Sequence, residues 1–152
     1  MKKGNKAGWP RFSESYFRLC LTEGIKSEFG SPSVRGNYCI DKTNPKQLCR
    51  VEHFAEKETY IYCEKGGTYA KTLDLIWLPT VIEIKQNFMI KDAGFTKQYE
   101  NFINYPDPKN YGYSRADLSQ FPSKEERWLL YGMWVKCQRI FDGKNWIPFR
   151  KK

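Results

Sequence analysis

Between residues 36 and 90 the sequence consists of short β-type runs separated by turn residues. The runs are rich in Val, Ile, Thr, Tyr and Phe, as is typical of strands. The intervening segments KTNPK, AEKE, KGG and LPT contain residues that favour turns. This pattern predicts an antiparallel meander. Its strands are expected at residues 37–41, 47–54, 59–64, 68–77 and 81–90.

The run at 47–54 also allows a second interpretation. Asn44-Pro45 could start a helix that carries Leu48, Val51 and Ala55 on its inner side, because Pro is favoured at the first helical position. Both interpretations are compatible with the sequence alone.

Two long helices are predicted, one near each end of the chain. The first follows Ser13 or Ser15 as a cap and ends at Gly30. Its buried stripe has residues at steps of four, namely Phe17, Leu21, Ile25 and Phe29. The second begins with the capping box Ser123 to Glu126. Its apolar positions are Leu130, Trp134, Cys137 and Phe141.

Shorter elements are predicted around the second helix. Residues 94–103 could form a short helix, and residues 145–149 a last short strand. The segment between them at 104–122 is rich in Pro, Asn and Tyr, which predicts a mostly irregular loop.

These elements predict a single α+β domain over residues 12–149. We expect an antiparallel sheet of four or five strands, with the N-terminal and C-terminal helices packed on one face. Residues 1–11 are expected to form a mobile basic arm and residues 150–152 a basic tail. The chain has no apolar run of about 18 residues, so no membrane span is predicted. No apolar signal segment follows Met1, which predicts a cytoplasmic protein, or a secreted or organellar one if a leader was removed before residue 1.

Positive charge is concentrated at the two ends. The net charge is +9, and seven of these charges lie in the first eleven and last three residues, which leaves +2 for the body. Basic ends are generic contacts for polyanions. The predicted partner is therefore nucleic acid or an acidic protein surface. The residues concerned are Lys2, Lys3, Lys6, Arg11, Arg150, Lys151 and Lys152.

The five cysteines are odd in number and include no C-x-x-C pair. This argues against both a disulfide framework and a zinc ribbon, so we expect five buried thiols and no metal. By residue type, Cys39, Cys49, His53 and Cys63 could be zinc ligands. In a regular strand, however, Cys49 and His53 would lie about 13 Å apart, too far for one ion. A disulfide between neighbouring strands stays open if the compartment is oxidising.

Catalytic signals are weak. His53 is the only histidine, and any acid–base pair would have to join it to a carboxylate such as Glu52 or Glu56. No nucleophile motif stands near it. Gly66-Gly67-Thr68 lacks the spacing of a phosphate-binding loop and predicts a hairpin turn. We therefore expect no cofactor, and we favour a binding protein over an enzyme.

One segment of the 104–122 loop suggests a binding site. If it is extended, Lys109, Tyr111, Tyr113 and Arg115 alternate onto one side and present two rings between two cations. Such an arrangement suits single-stranded nucleic acid. The alternative is that the tyrosines pack the loop onto the body of the protein.

The sequence thus favours a non-enzymatic binding or assembly protein. Its basic ends and aromatic-basic loop would contact nucleic acid or the acidic surface of a larger complex. Two alternatives stay open, a metal-independent nuclease-like hydrolase and a secreted, disulfide-bearing inhibitor or toxin. Thiol counting would separate the second alternative from the others.

Overall fold

The computed structural model describes residues 8–63 and 66–150 and divides into two compact units, residues 1–79 and 80–152. The first unit contains two helices and a five-stranded antiparallel sheet. Its elements are α1 (Glu14–Cys20), α2 (Glu23–Phe29), β1 (Tyr38–Asp41), β2 (Asn44–Phe54), β3 (Glu58–Cys63), β4 (Gly66–Lys71) and β5 (Leu75–Trp77). The strand order is β4-β3-β2-β1-β5. The α+β class and the antiparallel sheet are therefore confirmed.

A three-residue 3₁₀ turn, Thr72–Asp74, joins the two outermost strands of this sheet, β4 and β5. In a flat sheet those strands would lie about 19 Å apart, at about 4.8 Å per strand. A 3₁₀ turn rises only about 2 Å per residue, so it cannot bridge that distance. The sheet must therefore curl until its edges approach one another.

The curled sheet encloses an apolar inner face. One buried cluster contains residues from all five strands: Cys39, Cys49, Val51, Ile61, Cys63, Ala70 and Leu75. Because strand residues alternate between faces, the intervening side chains of β3 and β4 lie on the outer face. The helices cover part of that outer face. Ile40 of β1 alternates with Cys39 and so lies on the outer face, where it lines a groove with Phe12 and Phe17. At β5, the Phe29 ring of α2 meets Trp77 edge-on at 5.6 Å, and the Tyr16 hydroxyl of α1 donates a 2.7 Å hydrogen bond to the Pro79 carbonyl.

The second unit is mainly helical. Its elements are α3 (Val81–Asn87), α4 (Ala93–Asn104), α5 (Pro108–Tyr111), α6 (Arg115–Ser119), α7 (Lys124–Cys137), β6 (Arg139–Phe141) and β7 (Trp146–Pro148). Helix α7 begins at the predicted capping box, in which Ser123 and Glu126 bond each other's backbone N–H groups. The last two strands pair through Ile140 and Ile147, so the predicted C-terminal strand is confirmed.

Several predicted elements were wrong. The run 81–90 is a helix, because Thr80 and Glu83 form a capping box and Val81, Ile84 and Phe88 recur at helical spacing. The run 68–77 is divided by the 3₁₀ turn into β4 and β5. The first helix is broken at Leu21–Thr22, where the extended backbone of Thr22 starts α2.

Four further predictions also need correction. The helical interpretation of 44–55 was wrong, because that segment is strand β2. The 104–122 loop is not irregular, since Asp107 and Ser114 cap two short helices. Residues 8–11 are not all a mobile arm, because the Trp9 ring packs against Tyr38 at 5.5 Å. Helix α7 ends at Cys137, so Phe141 belongs to strand β6.

The single-domain organisation over 12–149 stays a prediction, and so does the packing of the C-terminal helix on the sheet, because that helix belongs to the second unit. Within the residues that the structure describes, no helix is long and apolar enough to cross a membrane.

The close contact of α3 and α7 depends on Gly132. A Cβ at this position would overlap the buried Phe88 ring. We expect Gly132→Ala to lower the free energy of unfolding by about 1–3 kcal/mol, because overpacking outweighs the better helix propensity of Ala. Urea unfolding would measure this. Gly94→Ala is the matched control, since Gly94 is exposed in the first turn of α4 and a Cβ there would meet only the exposed Asp92 carboxylate, at 3.1 Å, so stability should change by less than about 1 kcal/mol. Equal stability of the two variants would contradict the prediction.

Candidate functional site

The tyrosines of the 104–122 segment pack into the second unit. Tyr113 is 2% exposed, and its hydroxyl accepts a 2.7 Å hydrogen bond from the Phe141 N–H. Burial raises the pKa of Tyr113 above its ordinary value. The Tyr111 ring lies edge-on to Phe102 at 5.4 Å and to Trp134 at 5.1 Å. These contacts agree with the packing alternative.

The segment is also not extended, so its four residues do not alternate onto one side. Gly112 ends α5 in a left-handed conformation, and α6 starts at Arg115. Lys109 and Arg115 are exposed, and the Arg115 guanidinium donates to the Asn104 carbonyl at 2.8 Å. A binding role for these two cations stays a prediction.

Most of the predicted basic end residues lie outside the described residues, namely Lys2, Lys3, Lys6, Lys151 and Lys152. Arg11 and Arg150 are described and exposed. Arg11 borders an apolar groove on the first unit beside Phe12 and Phe17. Arg150 borders an open cavity on the second unit with Trp134 and Phe149. Their contact with a polyanion stays a prediction.

The prediction of five thiols was wrong, because Cys49 and Cys63 form a disulfide. They lie on the neighbouring strands β2 and β3, which is the alternative that the sequence left open. Cys20, Cys39 and Cys137 are thiols. The disulfide also uses two of the four residues considered for zinc. Within residues 8–63 and 66–150, no group of three or more His, Cys, Asp and Glu could hold a metal ion.

His53 stacks in an aromatic row rather than beside a carboxylate. Its ring lies parallel to Tyr60, with centroids 4.9 Å apart and planes at 11°. Its Nε2 is 3.0 Å from the Tyr69 hydroxyl, and the Tyr60 and Tyr69 rings meet at 4.9 Å. Glu52, the suggested acid–base partner, instead binds Arg50 at 3.1 Å and Arg35 at 3.6 Å.

A β-bulge places His53 in this row. Between Val51 and His53 the register shifts, so Glu52 is an extra residue on β2. Val51 is buried on the inner face opposite Ile61. By simple alternation His53 would share that face, but the bulge brings it opposite Tyr60 on the outer face.

A second row lies beside the first on the same face. Tyr62 of β3 is opposite Gly67 of β4 and Arg50 of β2, and Arg50 is opposite Tyr38 of β1. The rows are two residues apart along the strands, or about 7 Å. We call the two rows together the aromatic sheet face. It comprises Tyr38, Arg50, His53, Tyr60, Tyr62 and Tyr69.

Two tyrosines of this face are open to solvent, whereas Tyr38 and Tyr60 are half-buried. Tyr62 is 38% exposed and Tyr69 is 51% exposed. The Arg50 guanidinium lies 5.2 Å from the Trp9 ring centroid and is also bound to Glu52. Because Arg35 and Arg50 share the single carboxylate of Glu52, this corner of the face keeps an excess of positive charge.

Gly67 shapes the surface by lacking a side chain. A Cβ at this position would overlap the ring and hydroxyl of Tyr60, so the Tyr60 ring lies directly over the Gly67 backbone. The absence of a side chain lets the Tyr60 ring contact the backbone of β4. Sequence reasoning missed this face, although the alternation of Tyr60 and Tyr62 in TYIYCE was a visible signal.

Comparison of the chain with known protein families, curated proteins and solved structures gives no match.

The tyrosines of the 104–122 segment and those of the aromatic sheet face should differ in how much stability is lost when they are truncated. Tyr113→Ala should cost about 3–5 kcal/mol of stability, as buried aromatic truncations do. Tyr69→Ala should cost less than about 1 kcal/mol, because much of its ring is already exposed. Chemical unfolding of both variants would measure the difference. Normal stability of Tyr113→Ala with a loss of ligand binding would instead support the 104–122 segment as the binding site.

Proposed function

We propose that this chain is a non-enzymatic binding protein for single-stranded nucleic acid, which it contacts through the aromatic sheet face. The observation that carries the proposal is the pair of adjacent rows, in which the exposed rings of Tyr62 and Tyr69 lie on the same sheet surface as the Arg50 guanidinium. Aromatic side chains that stack unpaired bases, together with cations that follow the backbone, are the common elements of single-strand recognition.

The arrangement favours a ligand with flat faces. Tyr62 and Tyr69 leave ring surface uncovered, whereas most large aromatic rings of the second unit are packed against one another. The mutual contacts of His53, Tyr60 and Tyr69 fix their orientations before any ligand arrives. Such preorganisation reduces the entropy lost on binding.

Charge supports the same ligand class. The chain carries a net charge of +9, which attracts polyanions over a distance. Arg50 and Arg35 supply cations beside the rings. The basic ends would add contacts with phosphates that do not depend on base sequence.

The disulfide favours one of the alternatives. Disulfides persist in oxidising compartments, so Cys49–Cys63 supports a secreted or organellar location more than the predicted cytoplasmic one. A secreted inhibitor or toxin is therefore the second candidate function. For such a protein the aromatic sheet face would bind an acidic protein surface instead of nucleic acid.

The proposal is tested with a labelled oligodeoxythymidine of about 16 nucleotides, the upper range for one small single-strand binding fold. We expect Tyr62→Ala and Tyr69→Ala each to weaken binding by about 1–3 kcal/mol, or about 5–150-fold, because each removes one stacking surface. Fluorescence anisotropy would measure the affinities. Tyr105→Ala is the matched control, since Tyr105 is 72% exposed at the end of α4 in the second unit and should leave affinity unchanged.

Heparin, a polyanion without bases, separates stacking from simple charge attraction. If the rings bind bases, the tyrosine substitutions should weaken oligonucleotide binding while leaving heparin binding nearly unchanged. Equal losses for both ligands, or none for the oligonucleotide, would contradict the proposal. Binding of an acidic protein with no measurable affinity for the oligonucleotide would favour the second candidate.

A further inference from the structure

Three cysteines lie side by side across neighbouring strands of the sheet. Cys39 of β1 is directly opposite Cys49 of β2, and Cys49 is bonded to Cys63 of β3 with a Cα–Cα distance of 4.4 Å. All three belong to the buried inner cluster. Cys49 therefore has a cysteine on each side.

Cys39 lies within reach of Cys49. Directly opposite residues of antiparallel strands have Cα atoms about 4.5–5.5 Å apart, and disulfides span about 4.4–6.8 Å. A bond between them requires no strand to move by a register step. The row also places Cys39 and Cys63 on opposite sides of Cys49, which suits displacement at sulfur, where the attacking and leaving atoms stand on opposite sides.

We infer that Cys49 exchanges its disulfide partner between Cys63 and Cys39, and that this exchange regulates the aromatic sheet face. The regulatory part rests on the function proposed above. In the exchange, the Cys39 thiolate attacks the Cys49 Sγ, the Cys39–Cys49 bond forms and the Cys49–Cys63 bond breaks. Cys63 leaves as a thiolate and takes up the proton that Cys39 lost, so the step needs no oxidant or reductant.

The packed inner face holds this exchange back. Cys39 is completely buried, and burial together with the charge of Asp41 raises its pKa to about 12. The attacking thiolate is therefore scarce while the sheet is closed. A small external thiol has another route, because Cys49 and Cys63 line a cavity of about 210 Å³ that Gly66 and Thr68 border. Attack of the external thiol on the Cys49 Sγ releases Cys63 as a thiolate and leaves a mixed disulfide on Cys49, from which the Cys39 thiolate then displaces the external thiol.

The disulfide lies directly behind the binding surface. Cys49 and Cys63 are the chain neighbours of Arg50 and Tyr62, which face each other on the outer side. The Cys49–Cys63 bond therefore fixes β2 against β3 below this row. When the bond moves to Cys39, β2 and β3 lose their covalent link and keep their backbone hydrogen bonds and the packing of Ile61. The Tyr62 ring is then held less firmly opposite Arg50.

The exchange is tested by peptide mapping of the full chain after incubation in a glutathione redox buffer, with rapid acid quenching. We expect the Cys49–Cys63 linkage together with a Cys39–Cys49 linkage. Cys39→Ser should give Cys49–Cys63 alone, and Cys63→Ser should give Cys39–Cys49. Absence of Cys39–Cys49 from both the unaltered chain and Cys63→Ser would overturn the inference. If Cys63→Ser does not fold, the presence or absence of the Cys39–Cys49 linkage in the unaltered chain decides whether the exchange occurs.

Binding then tests the regulation. Folded Cys39→Ser and Cys63→Ser, each oxidised, hold the two disulfide isomers separately. We expect Cys63→Ser to bind oligodeoxythymidine at least about fivefold more weakly than Cys39→Ser. Equal affinities would overturn the regulation. If Cys39→Ser and the unaltered chain both fail to bind, the proposed function fails and the regulatory claim with it, while the mapping still decides whether Cys49 exchanges partners.

Discussion

The organisation of the first unit depends on the short connection between β4 and β5. Three residues cannot span a flat five-stranded sheet, so Thr72–Asp74 forces the sheet to curl. Curling gives the sheet a core of its own, with Val51 and Ile61 enclosed between strands instead of beneath a covering layer. The outer side of β3 and β4 is then not needed for burial. This explains how Tyr62 and Tyr69 can be exposed without leaving the sheet unstable.

Much of the secondary structure of both units was predictable because its signals are local. The turn segments KTNPK and AEKE marked the two turns between β1, β2 and β3, although β2 already begins at Asn44 and β3 at Glu58. Ser123 with Glu126 identified the start of α7. Prediction failed where a run of residues fits the repeat of a strand and the repeat of a helix equally well. The run from Val81 to Ile90 reads as a strand by composition, but the capping box at Thr80 stabilises a helix. The steps of four from Phe17 to Phe29 continued across Thr22 although the helix does not.

The candidate site was less predictable, because it depends on strand register. Tyr111 and Tyr113 were conspicuous as neighbours in sequence, yet both are used for packing. His53, Tyr60 and Tyr69 belong to three strands, and only pairing brings them together. The Cys49–Cys63 disulfide was not predicted because it too depends on the register of β2 and β3. If β2 and β3 continued in the register of Phe54 with Thr59, Cys63 would lie opposite Arg50 rather than Cys49.

The bulge at Glu52 therefore shifts the pairing register by one residue between the two halves of β2. On one side of it the register pairs Cys49 with Cys63, and on the other it pairs His53 with Tyr60. Loss of the Glu52 side chain would remove the carboxylate that binds Arg35 and Arg50 but would leave this register shift intact. Loss of the whole residue would make Val51 and His53 neighbours, and a regular ladder would then keep both the disulfide and the aromatic row. If β2 instead kept all its residues but paired without the bulge, the strand could satisfy the disulfide or the aromatic row, but not both. For this protein the pairing register of β2 is thus as much a determinant of its surface chemistry as the identity of its side chains.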